Sequence, residues 1–170
     1  MLLTNSAEVQ YEIRIAKPSD ASGIIRCMQS VMDEKIYLVG DVYLYTERGE
    51  KDMIRNPDDL NIVADANGDI VGIMKIQRGI FRKNRHTATM GIAVMNGYRH
   101  VGIGRKMISQ GIEWCRSQGI KKLNLEVFSS NQNAIELYKK MGFEVEGIRK
   151  NQFLIFDRFV DDVLMSINFE

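Results

Sequence analysis

Two cysteines, two prolines and two histidines in 170 residues leave little material for several common designs. Cys27 and Cys115 are too few for a disulfide framework. With His86 and His100 as the only helpers they make no zinc set at the usual spacings. They read as two buried free thiols, with no metal, in a reducing, cytoplasmic setting. A long hydrophobic run is also missing, and nothing approaches the roughly 20 apolar residues that a membrane span needs. The first ten residues carry Asn5, Ser6 and Glu8, unlike a signal peptide. Neither sign of charge dominates: 23 Lys plus Arg face 22 Asp plus Glu, so a nucleic-acid partner gripped by bulk charge is not expected.

What is present suits a globular enzyme. Apolar residues reach 45%, enough for a core. No repeat, linker or low-complexity tract divides the chain, so residues 1–170 read as a single domain with its core at about 11–167. Tyr11 to Ile15 alternates as a strand, and Pro18-Ser19-Asp20 then starts a helix with Ile24, Ile25, Met28, Val31 and Met32 at helical spacing. A charged helix covers Thr46 to Arg55. Leu60 to Ala64 and Ile70 to Ile76 form a hairpin through the Asn67-Gly68 turn. Thr87 to Val94 is a third strand of the central sheet. A helix from about Gly104 to Gln118 carries Met107, Ile108, Gly111, Ile112 and Cys115 on one stripe, and Gly119 stands where its cap belongs. Leu123 to Phe128 is a strand, Asn131 to Met141 a helix ended by Gly142. Phe143 to Gly147 and Phe153 to Ile167 supply the last strands. The order predicts a mixed α/β fold, one sheet with helices on both faces.

The loop Arg99-His100-Val101-Gly102-Ile103-Gly104 lies between an apolar strand and an amphipathic helix. Glycines let the backbone come close to a ligand, and the helix that follows aims unpaired N–H groups and a positive dipole end at it. A diphosphate satisfies both. Arg99 and Arg105 add charge at the rim. A Walker loop needs Lys-Ser/Thr after its second glycine, and a dinucleotide fingerprint needs a third glycine and a strand at the chain start. Both fail here.

With Gly91-Ile92-Ala93-Val94 before it, this loop resembles the acetyl-CoA loop of the GNAT N-acetyltransferases, Gln/Arg-x-x-Gly-x-Gly/Ala. Leu125-Glu126-Val127-Phe128-Ser129-Ser130-Asn131, Ala134-Ile135-Glu136-Leu137-Tyr138 and Gly142-Phe143 resemble the strand and helix that complete the site in that family. The resemblance covers about residues 11–167. It implies a mostly antiparallel twisted sheet of about seven strands. It also implies an acetyl-CoA-dependent N-acetyltransferase with acetyl-CoA and an amine acceptor as partners, and a homodimer in many relatives. The amine is left open among a peptide N-terminus, an amino acid, a polyamine or another small amine.

The resemblance also assigns roles. The main chain of Ile92, Ala93 and Val94 pairs with the pantetheine arm, with an N–H near Val94 facing the thioester oxygen. Residues Arg99 to Arg105 (Arg99, His100, Val101, Gly102, Ile103, Gly104, Arg105) hold the diphosphate. Asn131 and Asn133 touch the CoA arm, and Asn131 doubles as a helix cap. Tyr138 is the acid beside the sulfur. The glutamate that many relatives carry in the strand before the loop is Met90 here. Glu126, twelve residues before Tyr138 as in ribosomal-protein alanine N-acetyltransferases, is then the candidate base, with His86 or a water chain as substitutes. Met90 also keeps open an inactive acyl-CoA-binding sensor. The acceptor side is expected at about 31–50, rich in tyrosine and acids, and at 151–161, where Phe156-Asp157 replaces the usual Asp-Gly turn.

Overall fold

The computed structural model describes residues 9–170, so most of the signal-peptide reading, which rests on Asn5, Ser6 and Glu8, lies outside the described residues. The elements run β1 (Glu12–Ile15), a 3-10 turn, α1 (Ala21–Met32), α2 (Glu47–Ile54), β2 (Leu60–Ala66), β3 (Asp69–Arg78), β4 (Thr87–Val94), α3 (Ile103–Ser117), β5 (Lys122–Phe128), α4 (Gln132–Lys140), β6 (Glu144–Ile155) and β7 (Arg158–Asn168). The strands join in one sheet of order β1-β2-β3-β4-β5-β7-β6. Every pairing is antiparallel except β4 with β5. The expected mostly antiparallel seven-stranded sheet is therefore the one observed.

Side-chain alternation sorts the helices onto two faces. Val63, Ile73 and Ala93 form one cross-strand row and pack with Ile24, Cys27 and Val31 of α1. Their neighbours Ile62, Ala64, Met74 and Met90 point the other way, into the core shared with α3 and α4. The predicted stripe of α3 is buried throughout: Met107, Ile108, Gly111, Ile112 and Cys115, joined by Ile103. Its N-terminal end sits close on the sheet at Gly72, where a Cβ would come within 3.4 Å of Ile103.

The helix ends follow the sequence signals. In α3 the N–H of Gly119 bonds Arg116 and that of Ile120 bonds Cys115; in α4 Gly142 bonds Lys139 and Phe143 bonds Tyr138. Both are Schellman closures, with Gly119 and Gly142 in the left-handed region that glycine adopts without strain.

The C-terminal hairpin differs from expectation. β6 runs unbroken in place of two pieces, because the chain bulges between Arg149 and Phe153 and resumes pairing. Asn151 takes φ 52° there, and its N–H donates to Asp161 Oδ1 at 2.8 Å. Phe156 and Asp157 make the two-residue turn with both φ values positive, so the hairpin closes without its usual glycine.

One buried polar knot ties α2 and the chain before it to the sheet. Glu50 is fully buried and accepts from Lys75 Nζ at 2.6 Å and from the Tyr43 hydroxyl at 2.7 Å, while Lys75 also donates to Tyr43 at 2.8 Å. Burial holds the Lys75 ammonium below its ordinary value and pushes the Tyr43 phenol up. Glu50→Ala strands the Lys75 charge and should cost about 3 kcal/mol or more in urea unfolding, whereas Glu50→Leu with Lys75→Met should cost far less.

Candidate active site

The cleft starts where a ladder stops. β4 and β5 pair only over Thr87–Thr89 and Lys122–Asn124. Beyond that the two strands part. The register of β4 on β3 decides which backbone groups face the gap. Gly79 N–H bonds Thr87 O and Met95 N–H bonds Val71 O. In an antiparallel ladder without a bulge, the residues between alternate: Thr89, Gly91 and Ala93 bond β3, and Ile92 and Val94 turn their N–H and C=O groups away from it. Ile92 and Val94 are thus an open strand edge on the cleft. Ala93, expected to share that edge, instead spends its backbone on β3.

Around this edge lies a groove of about 520 Å3, lined by Met90 to Val94, the loop from Tyr98 to Arg105 except Val101, Glu126 and Val127 of β5, the cap residue Asn131, and Asn133, Ala134, Leu137 and Tyr138 of α4. Val101 sits outside, 42% exposed, with its carbonyl accepting from the Tyr11 hydroxyl at 3.1 Å. That bond pins the loop to the start of β1.

At the far end stands the α3 N-terminus. Thr46 caps α2 and Asn131 caps α4 through their side chains. Gly102 at the head of α3 has no side chain to do so. It lies at φ 92°, and His100 two residues earlier at φ 62°. Left-handed residues in such a turn gather successive N–H groups around one concavity, a site for anions. Arg105 lines the groove beside it. These open donors, with the free edge of β4, fit the diphosphate and amide-bearing arm of a coenzyme A molecule.

Arg99 is placed otherwise than expected. Its Nε donates to Val94 O at 2.8 Å, Nη1 donates to Glu34 at 2.8 Å and Nη2 to Glu34 at 2.5 Å, and its guanidinium lies 4.5 Å from the Tyr37 ring centre. Little of it is left for a phosphate.

Tyr138 and Glu126 share the groove. Tyr138 is 7% exposed, its ring 5.9 Å from Phe143, and burial pushes its phenol up to about 12. On α4, Ile135 and Tyr138 are buried, and Ala134 and Leu137 wall the groove together with Tyr138. Glu126 alternates away from the core set Leu123, Leu125 and Val127 and is exposed. Arg149 Nη1 donates to Glu126 at 3.0 Å and to buried Asp162 at 2.6 Å. Sequence reasoning missed Arg149 and Asp162, and it counted Glu34 among the acids of the acceptor segment without its link to Arg99. Their link to the site arises from strand pairing and from a 65-residue separation, which leave no local mark. Met90 is buried among core residues, and His86 stands before β4, outside the groove lining.

Asn131 and Asn133 also border a second cavity of about 590 Å3 that opens between Ile36, Tyr37 and the hairpin residues Phe156 and Arg158. Tyr37 belongs to both cavities. Among the described residues no cluster of three His, Cys, Asp or Glu could hold a metal ion, and no helix is long and apolar enough to cross a membrane.

Two outcomes follow from this geometry. Gly102→Val places a β-branched residue at φ 92° and should weaken acetyl-CoA binding in calorimetry by at least about tenfold, the loss of roughly 1.4 kcal/mol. Cys27 and Cys115 are free and buried, their thiols pushed up to about 12, so neither should react with a thiol reagent in the folded protein at pH 7.

A profile of the acetyltransferase (GNAT) family matches residues 25–143, a span that includes both motifs. The L-amino acid N-acetyltransferase AaaT of Escherichia coli is 33% identical over 106 residues, 62% of this chain and 65% of that protein, so the match spans just under two thirds of the relative. An N-alpha-acetyltransferase of Sulfolobus acidocaldarius is 26% identical over 156 residues, 86% of this chain and 87% of that protein. The crystal structure of a GNAT-family acetyltransferase from Streptococcus pneumoniae matches with a TM-score of 0.88 at 28% identity, covering 95% of this chain and all of that one. Sequence, fold and the two motifs agree: this chain belongs to the acetyltransferase (GNAT) family.

Proposed function

We propose that this protein transfers an acetyl group from acetyl-CoA to a primary amine by direct attack in a ternary complex, as one catalytic domain in a reducing, cytoplasmic setting. The observation that carries the reading is the open edge of β4 at Ile92 and Val94 leading to the uncapped N-terminus of α3. A peptide-like arm adds to such an edge as a strand would. Its diphosphate then meets the N–H groups after Gly102. An amino acid or a peptide N-terminus is the favoured acceptor class, supported by the activities named for the two relatives.

The Val94 N–H faces the place of the thioester oxygen and would stabilise the developing oxyanion. Glu126 takes the proton that the ammonium must lose, directly or through water. The amine lone pair then forms the C–N bond, and the C–S bond breaks. Tyr138 serves the departing sulfur. A phenol near 12 does not readily surrender its proton to a thiolate whose conjugate acid lies near 8.5. Tyr138 therefore hydrogen-bonds the sulfur, and the proton that finally rests there comes from the attacking nitrogen. One proton in total leaves to solvent for each ammonium consumed.

CoA release with a panel of amines tests the reading; tight binding without turnover across the panel would favour a sensor instead. Tyr138→Phe should lower kcat by about tenfold or more while leaving the acetyl-CoA Kd nearly unchanged. Glu126→Gln should alter the acid side of the pH–rate profile. Tyr138, protonated until pH nears 12, should cause no alkaline fall in rate below about pH 10.

A further inference from the structure

Arg99 occupies the motif position expected to bind phosphate, yet its guanidinium is already engaged on three sides. Glu34 takes two of its N–H groups in a fork at 2.5 and 2.8 Å, Val94 O takes Nε–H at 2.8 Å, and Tyr37 covers one flat face. Both charged side chains are only 22% exposed, which strengthens a paired geometry that solvent would otherwise weaken. The three partners belong to different parts of the reaction. Val94 ends the open edge of β4. Its carbonyl points away from β3, because the Met95 N–H of the same peptide bonds Val71. Glu34 follows α1 and begins the chain that runs over the acceptor side, and Tyr37 walls both cavities.

We propose that Arg99 is a positioning residue: it fastens the acceptor-side segment at Glu34 and Tyr37 to the Val94 carbonyl, so that the amine site and the thioester site keep one register. The proposal rests on the acetyl-transfer reading above and assigns Glu34 a part in it. The physical logic is that of a rigid bridge. Direct attack needs the amine nitrogen within about 3–3.5 Å of the thioester carbon, and a displacement of about 1 Å can cost a hundredfold. A segment without regular structure, such as 33–46, has no ladder to supply that precision. The Arg99 fork supplies it from the cofactor strand itself.

The test uses Glu34→Gln, Arg99→Gln and the double variant in steady-state kinetics, calorimetry with acetyl-CoA and amide hydrogen exchange. The expected result is an acetyl-CoA Kd within about threefold of the parent in all three and an amine KM raised by about tenfold or more. The double variant should be no worse than Arg99→Gln alone, since both single changes cut one link. Both single changes should also lower kcat, because the amine loses its register with the thioester, and Arg99→Gln more so, because Val94 O loses its donor. Exchange should quicken over 34–45 in Glu34→Gln and stay unchanged over 102–106. An acetyl-CoA Kd raised about tenfold in Arg99→Gln with amine KM unchanged would overturn the proposal and return Arg99 to the phosphate. If Arg99→Gln fails to fold, Glu34→Gln alone decides, because it spares the bond to Val94. A parent protein that turns over no amine would defeat the transferase reading, while the exchange result would still judge the bridge.

Discussion

Beyond Thr89 and Asn124 two parallel strands stop pairing, and the middle of the sheet is left with an edge at Ile92 and Val94 that no described strand pairs, its Val94 carbonyl held by the Arg99 side chain. A buried sheet pairs almost all of its backbone groups, and an unpaired edge along a groove is ready to take up another extended segment. The geometry names the filler. It must be narrow enough to lie between strands, carry amides to match Ile92 and Val94, and end in an anion for the turn at Gly102. The other parts of the fold serve this gap. α3 lies close on Gly72 and so points its first turn into the cleft. α4 contributes Ala134, Leu137 and Tyr138 to its wall. Tyr11 ties the glycine loop to the first strand.

Charge is arranged in pairs around the gap, not spread along it. Arg99 answers Glu34, Arg149 joins exposed Glu126 to buried Asp162, and Lys75 of β3 answers Glu50 of α2. Lys75 and Glu50 link β3 to α2, Arg149 holds the β5 residue Glu126 to the terminal hairpin, and Arg99 reaches β4 through its further bond to Val94 O. Such pairs add little net stability, yet breaking one strands a charge. They act as registry devices for a face built from loops.

Most of the scaffold was legible in the chain because its signals are local. Alternation gave the strands, the stripe of Met107, Ile108, Gly111, Ile112 and Cys115 gave α3, and Gly119 and Gly142 marked two helix ends. The glycine loop was legible for the same reason. What escaped depends on pairing across distance. That Ile92 and Val94 face the cleft while Ala93 faces β3 is a matter of register, which no single strand reveals. Arg99 matched a motif and was read as a phosphate residue; its partner Glu34 stands 65 positions away. The β6 bulge at Asn151 needed the Asp161 side chain, a contact without periodic signature.

The central claim is that the free edge of β4 takes an acetyl-CoA arm as its missing neighbour, and amide exchange followed residue by residue by NMR tests it most directly. On adding acetyl-CoA, exchange at Ile92 and Val94 should slow sharply while Ala93, already bonded to β3, changes little. Equal slowing at all three, or none at Ile92 and Val94 with cofactor bound, would contradict the account.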